Sequence, residues 1–316
     1  MSDKPNDQPY NHVFGSIKTP KDFLSIPGYL SQVDFSNEST RRLHEMIDGY
    51  DFAKIDEYPC GIKGCATKHQ HGYLVVTNDG VITNIGNRCG KKYLDLDFTR
   101  VKKSYLAKRK ASNNLESLKK IRSEYASIKQ TIDRLRKSFE KFSESQKILY
   151  RSVQTQLWQA MHMGRQGSRD IRRTRRMSKR EASIHYAQTN THSKDYEGRR
   201  PSIDEVVGRL DGLSVFKEEP LEFLKSEISA PLTALMSISD FSFDFLSEKD
   251  LEDHSRSANK AVRQLNKANA LEDQGYRFYN PGNLALLGLM GADKNTLLEA
   301  INKVSLLMEN SSSASD

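Results

Sequence analysis

The sequence predicts a mainly α-helical protein: a small β-hairpin module that carries all the cysteines, then a long heptad helix, then a helical C-terminal domain. Three observations predict it. Cys60, Cys65 and Cys89 are the only cysteines of the chain and bracket a hairpin signature. Apolar residues from Leu118 to Val153 recur at alternating steps of three and four. Beyond Pro201, apolar positions keep helical spacing between proline and glycine breaks.

The 316 residues are enough for two or three domains of ordinary size. At 36% hydrophobic and 28% charged, the chain is polar yet able to bury a core. It contains no apolar run of membrane-spanning length, and its first residues lack a signal-peptide pattern, so a cytoplasmic protein of a reducing compartment is expected.

Residues 1–36 read as a polar, proline-punctuated lead-in. Residues 37–98 form the cysteine module. A helix is expected at its start, with Ser39 as N-cap, Leu43, Met46 and Ile47 at spacings of three and four, and Gly49 as the stop. The module's centre is the hairpin: an apolar run from Tyr73 to Val76, then Asn78-Asp79-Gly80, then Val81-Ile82. Asp-Gly between such runs favours a tight turn because glycine accepts a positive φ.

Thiolates and a neutral imidazole suit Zn²⁺, and a structural zinc site closes with four such ligands in a tetrahedron. Cys60 and Cys65 form one claw, His69 or His71 follows directly, and the hairpin returns Cys89 between Gly86 and Gly90. The favoured set is Cys60, Cys65, His69 and Cys89, since His71 abuts the strand and can face solvent. An odd cysteine count without a secretory signal argues against a disulfide framework.

The string Cys60-x4-Cys65-x3-His69, Gly72-Tyr73-Leu74-Val75, Asp79-Gly80 and Ile85-Gly86-x2-Cys89-Gly90-Lys91-Lys92 resembles small treble-clef zinc modules. These occur in poorly characterised proteins of bacteria, phages and mobile elements. The resemblance covers about residues 58–95 and implies structural zinc and a treble-clef-like fold rather than an activity. The second helix cysteine usual in that family is missing here, and His69 is its substitute. HNH-type nucleases share this frame but need histidines on the hairpin and the following helix. The second strand and the helix after Cys89 carry none. No phosphate-cradling glycine loop, Gly-x-Ser-x-Gly elbow or His-Glu-x-x-His helix occurs either. A non-enzymatic protein is expected.

Residues 99–163 read as a long helix or coiled coil. The seam runs Leu118, Ile121, Tyr125, Ile128, Ile132, Leu135, Phe139, Phe142, Leu149 and Val153, missing one beat at Gln146. With no proline or glycine between Gly90 and Gly164, one helix can run much of that distance. The aromatics are bulky for a tight parallel dimer. An antiparallel helical hairpin within the chain and self-association through residues 118–153 therefore both satisfy the pattern.

Residues 164–201 read as a basic linker or arm. Arg165, Arg169, Arg172, Arg173, Arg175, Arg176, Lys179 and Arg180 make it a candidate nucleic-acid contact. Residues 100–200 hold 27 Lys/Arg against 9 Asp/Glu, a local net of +18 in a chain whose total is +8. Basic charge is thus segregated. Guanidinium groups offer a fixed fork of donors to phosphate, and neutralised phosphates release counterions. Acidic protein surfaces are the alternative partner, and the polymer type stays open. Trp158 and Tyr186 can stack on bases or belong to a helical core.

Residues 202–309 read as a helical domain. Ser202-x-x-Glu205 is a capping box expected to open a helix, and Pro220 and Pro231 start others with Leu221, Leu224, Ile228, Leu232 and Leu235 inside. A helix from Ser247 ends at Gly275, a short one follows Asn283, and a last one carries Leu297, Ile301 and Val304. The serine-rich residues 310–316 are expected to be disordered. The expected function is a zinc-containing nucleic-acid-binding factor. The alternative is an assembly or interaction protein, such as a scaffold, inhibitor or adaptor.

Overall fold

A computed structural model describes residues 17–36 and 41–309. The expected N-cap Ser39 and the serine-rich tail lie outside the described residues. The chain divides into two units, residues 1–117 with 246–252, and residues 118–245 with 253–316. The protein is mainly helical, with small antiparallel sheets.

The first unit is built on a three-stranded antiparallel sheet. Its strands are β1 (Leu43–Asp51), β4 (His71–Thr77) and β5 (Ile82–Gly86), with β4 in the centre. A two-residue pair, β2 (Tyr58–Pro59) with β3 (Lys68–His69), lies between β1 and β4 in the chain. The expected hairpin is present: β4 and β5 pair in register from Gly72–Gly86 to Val76–Ile82, and Gly80 turns between them at φ 81°.

Where the sequence leads to a helix around Leu43, Met46 and Ile47, the chain forms strand β1 instead. A register shift between Leu43 and Glu45 inserts a residue, so Leu43 and Met46 both face inward although three apart. That bulge turned a period of two into a helical-looking three. Gly49, expected to stop the helix, is a paired strand residue opposite Tyr73.

Alternation along β4 sends Leu74 and Val76 to one face and Val75 to the other. The first face meets Phe23, Tyr50 and Phe52, and the second meets Phe98, Val101 and Tyr105 of helix α1 (Asn87–Ser123). Residues 17–36 are therefore more than a polar lead-in. Phe23 is fully buried against Tyr29, Tyr50, Phe52 and Tyr58, and Tyr29 and Val33 bridge Ile82 and Ile62. Only short apolar patches mark this stretch, which is why the sequence hides its role.

The spine of the second unit is α2 (Tyr125–Gln166). The expected uninterrupted helix is broken. Asp95 leaves helical geometry inside α1 (φ 25°, ψ −99°), and Val153 does so inside α2 (φ −137°, ψ 49°). Gln146 and Met161 would lie about 22 Å apart on a straight helix. Their side chains meet at 3.8 Å, so α2 bends sharply at Val153.

The heptad seam of α2 is packed within the chain. Ile132, Leu135, Phe139, Phe142 and Leu149 are buried, and Ser145 fills the beat missing at Gln146. Across from them run α6 (Glu248–Phe278) and α8 (Lys294–Glu309): Phe142 meets Tyr276 edge-on and stacks on Tyr279, and Lys141 Nζ donates to the Met308 carbonyl. Of the two readings left open by the sequence, this matches packing inside one chain.

Between these helices come β6 (Asp170–Arg176), α3 (Lys179–Thr189) and β7 (Ser202–Arg209). The helix expected from Ser202 is the strand β7, antiparallel to β6 from Asp170–Arg209 to Arg176–Ser202. Ile203, Val206 and Val207 are β-branched and suit a strand, and the pairing overrides the capping-box pattern. The boundary drawn at 201/202 thus cuts through a two-stranded ribbon. Farther on, α4 (Pro220–Phe223) continues through a π-helical turn at Leu224–Ser229 into α5 (Ala230–Ser237). Pro231 lacks the N–H that an α-helix would need there, which accounts for the wider turn. The short α7 (Pro281–Ala285) starts at a proline capped by Asn280.

Candidate metal centre and basic ribbon

Cys60 follows β2, Cys65 closes the turn after it, and Cys89 lies in the first turn of α1. All three are buried and free, and their sulfurs lie within 4.8 Å of one another. Cys65 and Cys89 sulfurs are 3.5 Å apart. A tetrahedron with metal–sulfur bonds of about 2.3 Å has edges of about 3.8 Å, so this spacing matches thiolates around one ion. The three cysteines could hold a metal.

The backbone prepares the sulfurs for charge. N–H groups of Ile62 and Gly86 donate to Cys60, and the N–H and hydroxyl of Thr67 donate to Cys65. Even so, burial pushes the Cys60 thiol up to about 12. Burial, and then the hydrogen bond with Cys65, raises Cys89. Burial also acts upward on Cys65, but the hydrogen bonds with Thr67, Cys89 and Cys60 together outweigh it and the net shift is downward. Three thiolates so close together need a cation to coexist. Cys89 also sits at the positive end of a helix, which favours an anion.

The 4.8 Å cluster comprises the three sulfurs and does not include His69. His69 nevertheless stands beside the loop that carries them. A methyl group at Gly86 would lie 2.4 Å from its ring, so only glycine there lets the imidazole pack against the backbone that donates to Cys60. Its Nδ1 is 3.0 Å from the Tyr50 hydroxyl, while Nε2 is buried with no hydrogen-bond partner among the described residues. Burial lowers its pKa, favouring the neutral ring a metal requires. His71 is elsewhere: its side chain is 66% exposed and pairs with Asp51 at 2.7 Å. Gly90 serves packing, because a Cβ there would strike the Phe98 ring at 2.1 Å.

Sequence reasoning missed Tyr50 and Thr67, which contact the candidate ligands His69 and Cys65 from a strand and a loop without any motif. It also treated eight basic residues alike, and the structure separates them. Arg165 ends α2, Arg169 precedes β6, Arg172, Arg173, Arg175 and Arg176 lie on β6, and Lys179 and Arg180 open α3. Arg175 grips both Glu205 and Glu181, each at 2.7 Å, and ties the ribbon to the capping box of α3 formed by Ser178 and Glu181. Arg169 pairs with Asp211 at 3.5 Å and Arg172 with Asp170 at 3.8 Å. Arg165, Arg173, Arg176, Lys179 and Arg180 are exposed and have no carboxylate partner among the described residues. Trp158 is 62% exposed and stacks on His162.

Comparison with models of known protein families, with curated proteins and with solved structures found no match to this chain.

Proposed function

We propose that this protein is a non-enzymatic, zinc-stabilised nucleic-acid-binding factor whose β6–β7 ribbon and α3 grip the phosphate backbone. The observation that carries the reading is the set Arg173, Arg176, Lys179 and Arg180: four exposed cations on one strand and the helix it leads into, none neutralised by a described carboxylate. Arg173 and Arg176 fall on opposite faces of the ribbon by strand alternation. Lys179 and Arg180 occupy the positive end of a helix, where cations cost stability, so an anionic partner would relieve them. A two-stranded ribbon is also one of the shapes a DNA major groove admits.

Zinc is the ion favoured by three thiolates and an imidazole, and the order of cysteine turn, hairpin and helix-borne cysteine supports the treble-clef-like reading. The ion holds the first unit together in this proposal and takes no part in chemistry.

The test is fluorescence anisotropy with duplex DNA, single-stranded DNA and RNA from low to physiological salt. Binding that strengthens steeply as salt falls, and that is lost when Arg173, Arg176, Lys179 and Arg180 are changed to Ala, supports the proposal and names the polymer. Absence of binding at low salt overturns it. An acidic protein partner is the second reading. Ile203 and Val206 are exposed on β7, and neither ribbon strand has a further neighbour among the described residues, which suits strand addition by a protein.

A further inference from the structure

Within the second unit, a cleft of about 790 Å³ opens where α2 bends. It is of the size that buries a small ligand. Its floor is aromatic: Phe139, Phe142, Phe216 and Tyr279 are all less than a tenth exposed, and Phe142 stacks on Tyr279 with centroids 5.5 Å apart. Tyr150, 52% exposed, adds a ring at the wall, and Lys147, Arg151, Arg165 and Lys217 line it as well.

Three features of the lining are unspent. Tyr279 lines the cleft with only 2% of its surface exposed, and its hydroxyl makes no hydrogen bond to any described residue. Among the described residues Arg151, Arg165 and Lys217 have no carboxylate partner, while Lys147 is held by Glu144, and Lys267 holds one oxygen of Glu218 and leaves Oε2 buried without a partner. The carboxylate of Glu219 and the amide of Gln146 are almost free too: among the described residues Glu219 has no partner, and Gln146 reaches only the weakly accepting Met161 sulfur at 3.8 Å.

We propose that this cleft binds a nucleotide, its base against the aromatic floor and its phosphate on the unpaired cations. An apolar ligand would leave Arg151, Arg165 and Lys217 unused. A bare phosphate would leave the aromatic floor and the lone Glu219 carboxylate unused. A nucleobase presents a flat π-face for the rings, N–H donors for an acceptor such as Glu219, and acceptors for the Tyr279 hydroxyl and the Gln146 amide. Its phosphate matches a pair of arginines. The same chemistry is offered by a free mononucleotide and by an unstacked nucleotide of a strand. The inference stands on the cleft alone and does not need the ribbon to bind a polymer.

The experiment is isothermal titration calorimetry of the full-length protein with AMP, CMP, adenosine, inorganic phosphate and a short single-stranded oligonucleotide. Wild type is compared with Arg151→Ala and Tyr279→Phe, after circular dichroism has confirmed that each variant is folded. Phenylalanine keeps the ring and removes only the hydroxyl, so Tyr279→Phe reads ligand contact rather than packing. The expected result is saturable binding of at least one mononucleotide. Arg151→Ala should weaken it about tenfold and Tyr279→Phe several-fold, with adenosine and phosphate alone each much weaker.

Binding of the oligonucleotide but not the mononucleotides, weakened by both variants, assigns the cleft to a strand nucleotide and also supports the proposal. Three outcomes overturn it: no saturable heat with any nucleotide to about 1 mM, affinity unchanged in both variants, or adenosine binding as well as AMP. If AMP binds while no polymer does, the cleft stands and the ribbon reading falls. If polymer binds and is indifferent to both cleft variants while mononucleotides fail, the reverse holds.

Discussion

The Tyr50 hydroxyl lies 3.0 Å from His69 Nδ1 and leaves Nε2 buried without a partner. A buried ring nitrogen with nothing to bond is costly, and a metal ion is one way to satisfy it. With Nδ1 donating to Tyr50, the Nε2 lone pair is open, the tautomer that metal-bound histidines adopt. The proposed Cys3His set takes this nitrogen as its fourth ligand, beside the three clustered sulfurs. Purified protein should contain one zinc, and Co²⁺ substitution should give the absorption of a tetrahedral thiolate site. His69→Ala should weaken zinc binding markedly and His71→Ala should not. Tyr50→Phe should cost about tenfold in affinity through loss of the supporting hydrogen bond. Zinc affinity equal in the His69 and His71 variants would remove His69 from the site.

Chelation and cysteine loss should have the same consequence, because Cys60, Cys65 and Cys89 are part of the core that includes Val75, Ile85 and Phe98. Cys89→Ser should release zinc and lower the melting temperature of the first unit, with hydrogen exchange rising in β4, β5 and the start of α1. A preparation without metal, in which Cys89→Ser melts like wild type, sinks the metal centre.

Gly86 offers a subtler probe. Alanine there places a methyl 2.4 Å from the His69 ring, which must swing away from the Cys60 loop. Gly86→Ala should destabilise the protein by about 1–3 kcal/mol and weaken zinc binding as much as His69→Ala does. Denaturant melts with and without zinc separate the two effects. If zinc affinity is untouched, the ring's position over Gly86 has no bearing on the metal.

In the ribbon, Arg175 and Arg173 should behave as different kinds of residue. Arg175 bridges Glu205 and Glu181, so Arg175→Ala should loosen the join between β6, β7 and α3, visible as faster exchange across Ser178–Thr189. Arg173→Ala should leave that exchange unchanged while lowering the slope of log affinity against log salt by about one. Equal effects of the two on the salt slope would show that ion-paired and unpaired arginines contribute alike.

The hairpin and the cysteine cluster were legible because each is encoded locally: Asp79-Gly80 sets the turn, and the three cysteines fall close together in the chain. The seam of α2 was legible for the same reason, as apolar steps of three and four. Strand β1 was not, because its bulge imitates a helix between Leu43 and Met46. Strand β7 was not, because Ser202-x-x-Glu205 satisfies a local capping pattern while its pairing partner lies some thirty residues earlier. The bend at Val153 has neither proline nor glycine to mark it. The role of Tyr50 depends on a contact nineteen residues away. Local chemistry could be read from residue types and spacing, and contacts across the fold could not.

The packing of α2 on α6 contains one buried carboxylate, and it should be sensitive to loss of its partners. Glu272 is 6% exposed, pairs with Arg134, and accepts a 2.6 Å hydrogen bond from the Ser138 hydroxyl. Ser138 lies on the seam face of α2, among apolar neighbours where an unpaired hydroxyl would be costly. Removing one member therefore takes one partner from each residue bonded to it. Glu272→Ala should destabilise the second unit by about 1–3 kcal/mol, since it leaves Ser138 with only the Tyr276 hydroxyl at 3.1 Å and Arg134 without its counter-charge. Ser138→Ala should cost less, about 1 kcal/mol, because Glu272 keeps Arg134. The double variant should fall short of the sum of the singles, as coupled neighbours do, and a double-mutant cycle on denaturant melts measures the shortfall. Additive losses would mean that Ser138 and Glu272 act independently, and that Arg134 alone holds the carboxylate in the packed interface.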